Sequence, residues 1–186
     1  MVRIGILKNI SARGKLGDVR EFIQETLDSG EKLVVFLHLK EVFQKLKSMF
    51  PEAVSIVGEN TQAERQSAID SFQNNPNVKL ILCSIQAAGV GLTLTASSRV
   101  AFVEQGWTAA AHDQCEDRCH RIGQKDSVQC TYFLGKDTID EWNYKIIEEK
   151  RSIAKDVTGA QDEVVVDVVD RFATLFNLPK TEKQTA

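Results

Sequence analysis

The chain has 186 residues, 42% of them hydrophobic and 26% charged, a balance that fits one globular α/β core with a terminal appendage and leaves little room for two. No apolar run approaches the roughly 18 residues that a membrane-spanning helix needs, so no membrane partner is expected. A formal net charge of −3 argues against a domain that grips nucleic acid through bulk positive potential, so any such contact must be local.

Residues 1–30 read as a lead-in helix or linker. The first ten residues are too short, and too interrupted by Arg3 and Lys8, for a secretory apolar region, so an intracellular setting is expected. Leu33 to Leu37 is a continuous apolar run, as a strand buried on both faces requires, and an amphipathic helix from Lys40 to Met49 follows. Ala53 to Val57 is a second strand. Thr61-Gln62-Ala63-Glu64 then forms a capping box for a helix to about Gln73, which Asn74-Asn75-Pro76-Asn77 ends. Lys79 to Cys83 and Arg99 to Val103 are further strands, Thr108 to Ile122 a helix stopped by Gly123, and Ser127 to Leu134 the fifth strand. A second capping box, Thr138 to Glu141, opens a long helix. An apolar stripe through Val165, Val168, Phe172 and Phe176 predicts a bracing helix over 158–178, and the polar tail 179–186 is expected to be disordered. Strands alternating with helices imply a mostly parallel sheet.

Chemistry concentrates in two stretches. Ser84 to Leu94 follows the third strand, at the end where open α/β sheets place ligands, and Gly89 and Gly91 permit close backbone approach to a phosphate or simply a tight turn. In the segment Gln114 to Gln124, a continuous helix would put Gln114, Arg118 and Arg121 on one face. Their guanidinium groups suit phosphate oxygens, although a surface helix salt-bridged through Glu116 and Asp117 satisfies the same spacing. Cys115 and Cys119 lie one turn apart near His112 and His120, which leaves a zinc site conceivable despite a spacing that matches no common zinc pattern.

Ser84 to Leu94 resembles motif V, and Gln114 to Gln124 matches every fixed position of motif VI, Gln-x-x-Asp-Arg-x-His-Arg-Ile-Gly-Gln, of the Swi/Snf-type ATPases in helicase superfamily two. Phe36-Leu37-His38 resembles motif IV, and the likeness extends through Gly58 to Arg65 and Glu104-x-x-Trp107, covering residues 33–150. It implies a RecA-like lobe over 31–157, a parallel sheet flanked by helices. It further implies that Arg121, supported by Arg118, reaches the γ-phosphate of ATP held with Mg2+ on a separate first RecA-like lobe, while Gln114, Gly89 and Gly91 organise the nucleotide face. Ser84 and His38 would lie near the backbone of double-stranded DNA, although a partly buried strand-end histidine explains His38 equally well. Trp107 reads as a packing residue, and Thr108-Ala109 departs from the Asn-Pro common in the family, which puts the loop shape in question.

A phosphate-cradling loop is not present. Gly14-Lys15 resembles a fragment of one, but Leu16 replaces the hydroxyl residue and Asn9 the first glycine. Asp140-Glu141 likewise reads as capping chemistry rather than a magnesium site. The expectation is therefore half of an ATPase, inactive alone, with a non-catalytic DNA- or protein-docking module as the alternative.

Overall fold

The computed structural model describes residues 2–87 and 91–154. The expected bracing helix and tail, and Gly89, lie outside them. Two helices come first, α1 (Val2–Gly14) and α2 (Leu16–Asp28). Then follow β1 (Leu33–Leu37), α3 (Lys40–Met49), β2 (Val54–Ile56), α4 (Gln62–Asn74), β3 (Leu80–Ser84), β4 (Arg99–Phe102), α5 (Ala109–Glu116), β5 (Gln129–Tyr132) and α6 (Ile139–Ala154).

The five strands form one parallel sheet in the order β2-β3-β1-β4-β5. β1 is central and buried at all five positions, which explains why its sequence shows no polar alternation. Alternate residues feed two cores. Leu33, Val35 and Leu37 pack with Leu80, Leu82, Val19 and Ile23 of β3 and α2, and with Val42 and Leu46 of α3. Val34 and Phe36 face the other way, onto Ile81, Phe102, Phe72 of α4 and Cys115 of α5. Helices α2 and α3 thus cover one face, and α4 and α5 the other, in a three-layer α/β/α sandwich.

The chain leaves β1 for β2 on one side, then passes from β3 to β4 on the other side of β1. The carboxyl ends of β1 and β4 therefore flank a topological switch point, where such sheets open a ligand crevice. Here that crevice is filled. Glu104, two residues beyond β4, accepts hydrogen bonds from the amides of His38 and Leu39, at 3.1 and 3.3 Å, and Lys8 of α1 donates to the Gln105 carbonyl at 2.8 Å.

The lead-in stretch, expected as one helix, is two because the chain turns at Lys15. Its ammonium is drawn into the protein, donating to the Phe133 carbonyl at 2.8 Å and pairing with the Asp140 carboxylate at 2.5 Å. Both partners of this ion pair are buried. The capping box at Thr61 forms as expected. The one expected at Thr138 does not: Thr138 Oγ1 accepts from the Asp140 amide, Glu141 accepts from the Asp137 amide, and Asp140 turns inward to Lys15.

Candidate nucleotide-facing site

The arginine segment begins as a helix and then departs from one. Thr108 starts α5, its hydroxyl accepting from the Ala111 amide. Regular α-helix ends at Glu116, not near Gly123 as the sequence predicted. The cause is competition for carbonyls. The Arg118 carbonyl, which a continuing helix would give to residue 122, accepts instead from the Leu94 amide at 2.8 Å. The Cys119 carbonyl accepts from the Gln124 side chain, which also donates to the Ser97 carbonyl at 2.8 Å. The amides of Arg118 and Cys119 shift to acceptors three residues back, tightening the last turn. Gly123 then takes φ +106°, a conformation that a side chain strongly disfavours.

The expectation that Gln114, Arg118 and Arg121 share one helical face is therefore corrected. Gln114 lies exposed on α5, whereas both arginines lie beyond its end. Arg118 is 8% exposed and its Nε is buried with no partner. Arg121 is exposed, its Nη1 donating to Thr93 Oγ1 at 3.2 Å. Ile122 beside it is fully exposed. The two chemical stretches do meet, because Leu94 bonds to Arg118 and Thr93 to Arg121. Gly91 opens that segment at φ +45°, so its backbone also favours glycine.

Ser84 and His38 belong to other elements than the arginines. Ser84 ends β3, in register with Leu37, so both residues stand at the carboxyl edge of the sheet. His38 packs edge-on to Trp107, with ring centroids 6.2 Å apart, and its Nδ1 is buried without a partner. Burial, aided by the Lys8 charge, pushes its pKa down to about 4, so it is neutral at ordinary pH. Lys8 itself lies over the Trp107 ring at 3.7 Å and is lowered by burial to about 8.

The four cysteines are free thiols. Burial raises Cys115 and Cys119 to about 12, far from the thiolate that a metal needs, and no cluster suited to a metal ion occurs among the described residues. What spacing could not reveal is the set of contacts holding the loop after β4. His112 Nε2 accepts from the Gly106 amide at 2.9 Å, and Asn143 of α6 donates to the Gly106 carbonyl at 3.1 Å. A histidine at helical spacing inside a polar stretch carries no mark of such a role.

Residues 14–123 match the family described as helicase conserved C-terminal domain. The human helicase-like transcription factor is 37% identical over 153 residues, 79% of this chain but 15% of that protein. The SWI/SNF-related matrix-associated actin-dependent regulator of chromatin subfamily A-like protein 1 of Xenopus tropicalis is also 37% identical, over 76% of this chain and 16% of its own length. Among solved structures, the Sulfolobus solfataricus SWI2/SNF2 ATPase core domain superimposes with a TM-score of 0.63 at 29% identity, covering 87% of this chain and 33% of that one. The chain spans about one-sixth of the curated relatives it matches. It belongs to the helicase conserved C-terminal domain family, as a C-terminal RecA-like lobe of the Swi/Snf type.

Proposed function

We propose that the chain is the second motor lobe of a DNA-dependent ATPase, completing with Arg121 an ATP site that a separate first RecA-like lobe carries. One observation supports this most: an exposed guanidinium, tethered at 3.2 Å to Thr93, stands on a turn stitched to the 91–94 segment. The donors present fit phosphate oxygens and cannot ligate a metal, since arginine offers only N–H groups. Mg2+ would accordingly be held by the first lobe.

ATP bound there supplies the γ-phosphoryl group that is transferred to water. Arg121 swings from Thr93 and offers its planar fork to the oxygens on which charge gathers, which favours the transition state over the ground state. Arg118, buried three residues earlier in the chain, would play the supporting role. Gln114 would order the nucleotide face, and Ser84 and His38, at the carboxyl edge of the sheet, would lie near the DNA backbone. Gly91 would let the 91–94 segment relay lobe closure, and Gly89, outside the described residues, is assigned the same role from sequence alone.

The test supplies the chain with a first lobe, joined or in trans, and measures DNA-stimulated ATP hydrolysis. Arg121→Ala is expected to lower turnover about 10³-fold or more, with Arg121→Lys only partly restoring it. Unchanged turnover in Arg121→Ala would overturn the proposal, and DNA or protein binding that survives without any ATPase dependence would point to a docking module.

A further inference from the structure

Four side chains from three helices and the loop itself converge on the loop Glu104 to Trp107. Lys8 of α1 holds the Gln105 carbonyl, Asn143 of α6 the Gly106 carbonyl, His112 of α5 the Gly106 amide, and Glu104 reaches back to the amides of His38 and Leu39. The path from this loop into α5 is not set by a fixed φ, because Ala109, the first residue of that helix, stands where many family members have proline. Side-chain hydrogen bonds set it instead.

Of these contacts, the one made by His112 bears on the arginines. His112 is 1% exposed and lies two residues before Gln114. Its ring rests against Phe102, with centroids 5.4 Å apart, and against Tyr132 at 5.8 Å. The Tyr132 hydroxyl in turn donates to the carboxylate of Glu116, the last residue of α5. Helix α5 is thereby pinned to β4 near its start and to β5 at its end. The turn carrying Arg118 and Arg121 begins at the next residue, so pinning α5 fixes where that turn starts.

We infer that His112 is a positioning residue for Arg118 and Arg121: its neutral imidazole, accepting from Gly106 and packed against the stacked rings of Phe102 and Tyr132, sets the pose of α5 from which both arginines are delivered. The inference rests on the proposed ATPase reading. The acceptor must be an unprotonated Nε2, because a doubly protonated ring has only donors to offer. Glutamine places a carbonyl oxygen where Nε2 lies, whereas phenylalanine keeps the ring and removes the acceptor.

The assembled two-lobe ATPase distinguishes these roles. His112→Phe is expected to lower kcat about tenfold while KM for ATP stays within about twofold, because Arg121 acts on the transition state more than on bound ATP. His112→Gln is expected to recover most of the loss. Amide hydrogen exchange on the full chain gives a readout independent of ATP: Gly106 should exchange faster in His112→Phe and near the parent rate in His112→Gln. Equal kcat in the parent and His112→Phe, while Arg121→Ala abolishes turnover, overturns the inference and leaves the ATPase reading intact. Turnover indifferent to Arg121→Ala overturns both. A fall in kcat that His112→Gln does not restore assigns His112 to packing alone and also sinks the inference.

Discussion

Burial raises the Glu104 carboxyl to about 7, against the opposing pull of the His38 and Leu39 amides and of Lys15 and Lys8. The ordinary value is 4.5, so between pH 4.5 and 7 the folded chain holds a proton that the unfolded chain has released. Stability from this group is full below 4.5 and is lost as pH rises through 7. His38 works the other way. Its pKa falls from 6.5 to about 4, so its contribution is present above 6.5 and is lost as pH falls through 4. Urea unfolding of the parent and Glu104→Gln across this range isolates Glu104. The difference in stability between the two should shift by up to about 3 kcal/mol between pH 4.5 and 7, the parent losing ground as pH rises. A difference that stays constant with pH would show that Glu104 titrates as an ordinary carboxyl. None of this was legible from the chain, where Glu104 sits in a short polar stretch after a strand. Arg121 stands out in the sequence because a whole eleven-residue motif surrounds it, yet neither it nor Arg118 lies on the helix that spacing predicts: spacing shows which residues can share a face only while the helix continues.

Elements were read well where local chemistry decides them. The capping box at Thr61, the apolar run of β1 and the Asn-Pro break after α4 each announce themselves within a few residues. They were read badly where a distant group captures a backbone carbonyl, as Leu94 does at Arg118, or a side chain, as Asp140 does at Lys15. The second case is testable. The Lys15–Asp140 pair, at 6% and 5% side-chain exposure, joins the α1–α2 turn to the start of α6, with Ser11 and Gly135 also donating to Asp140. Lys15→Met leaves that carboxylate buried without its cation and should cost about 3–5 kcal/mol, lowering Tm by roughly 6–20 °C. Adding Asp140→Leu removes the stranded charge, so the double variant should be more stable than Lys15→Met alone. A double variant that is less stable would mean that the hydrogen bonds from Ser11 and Gly135, not the ion pair, hold these elements together.

At the scale of the whole lobe, the fold was legible because alternating strands and helices admit few parallel topologies, but the strand order and the filling of the switch-point crevice were not. That filling has a functional corollary. Glu104, Lys8 and Trp107 gather at the crevice between β1 and β4, whereas Arg121 is exposed beyond the end of α5, so the role proposed for that arginine is toward a ligand brought by another body. The same economy applies to DNA. With a net charge of −3, the chain cannot rely on a diffuse positive field, so the DNA contact proposed for Ser84 and His38 would rest on a few local groups at the carboxyl edge. Two or three phosphate contacts predict a salt slope of about −2 to −3, hence a loss in affinity of about 15- to 60-fold between 50 and 200 mM salt. Titrating a fluorescent duplex with the full chain measures it. A slope near −8 would require an extended cationic track that the charge count does not supply, and a slope near zero would remove phosphate contact from the role proposed for this lobe.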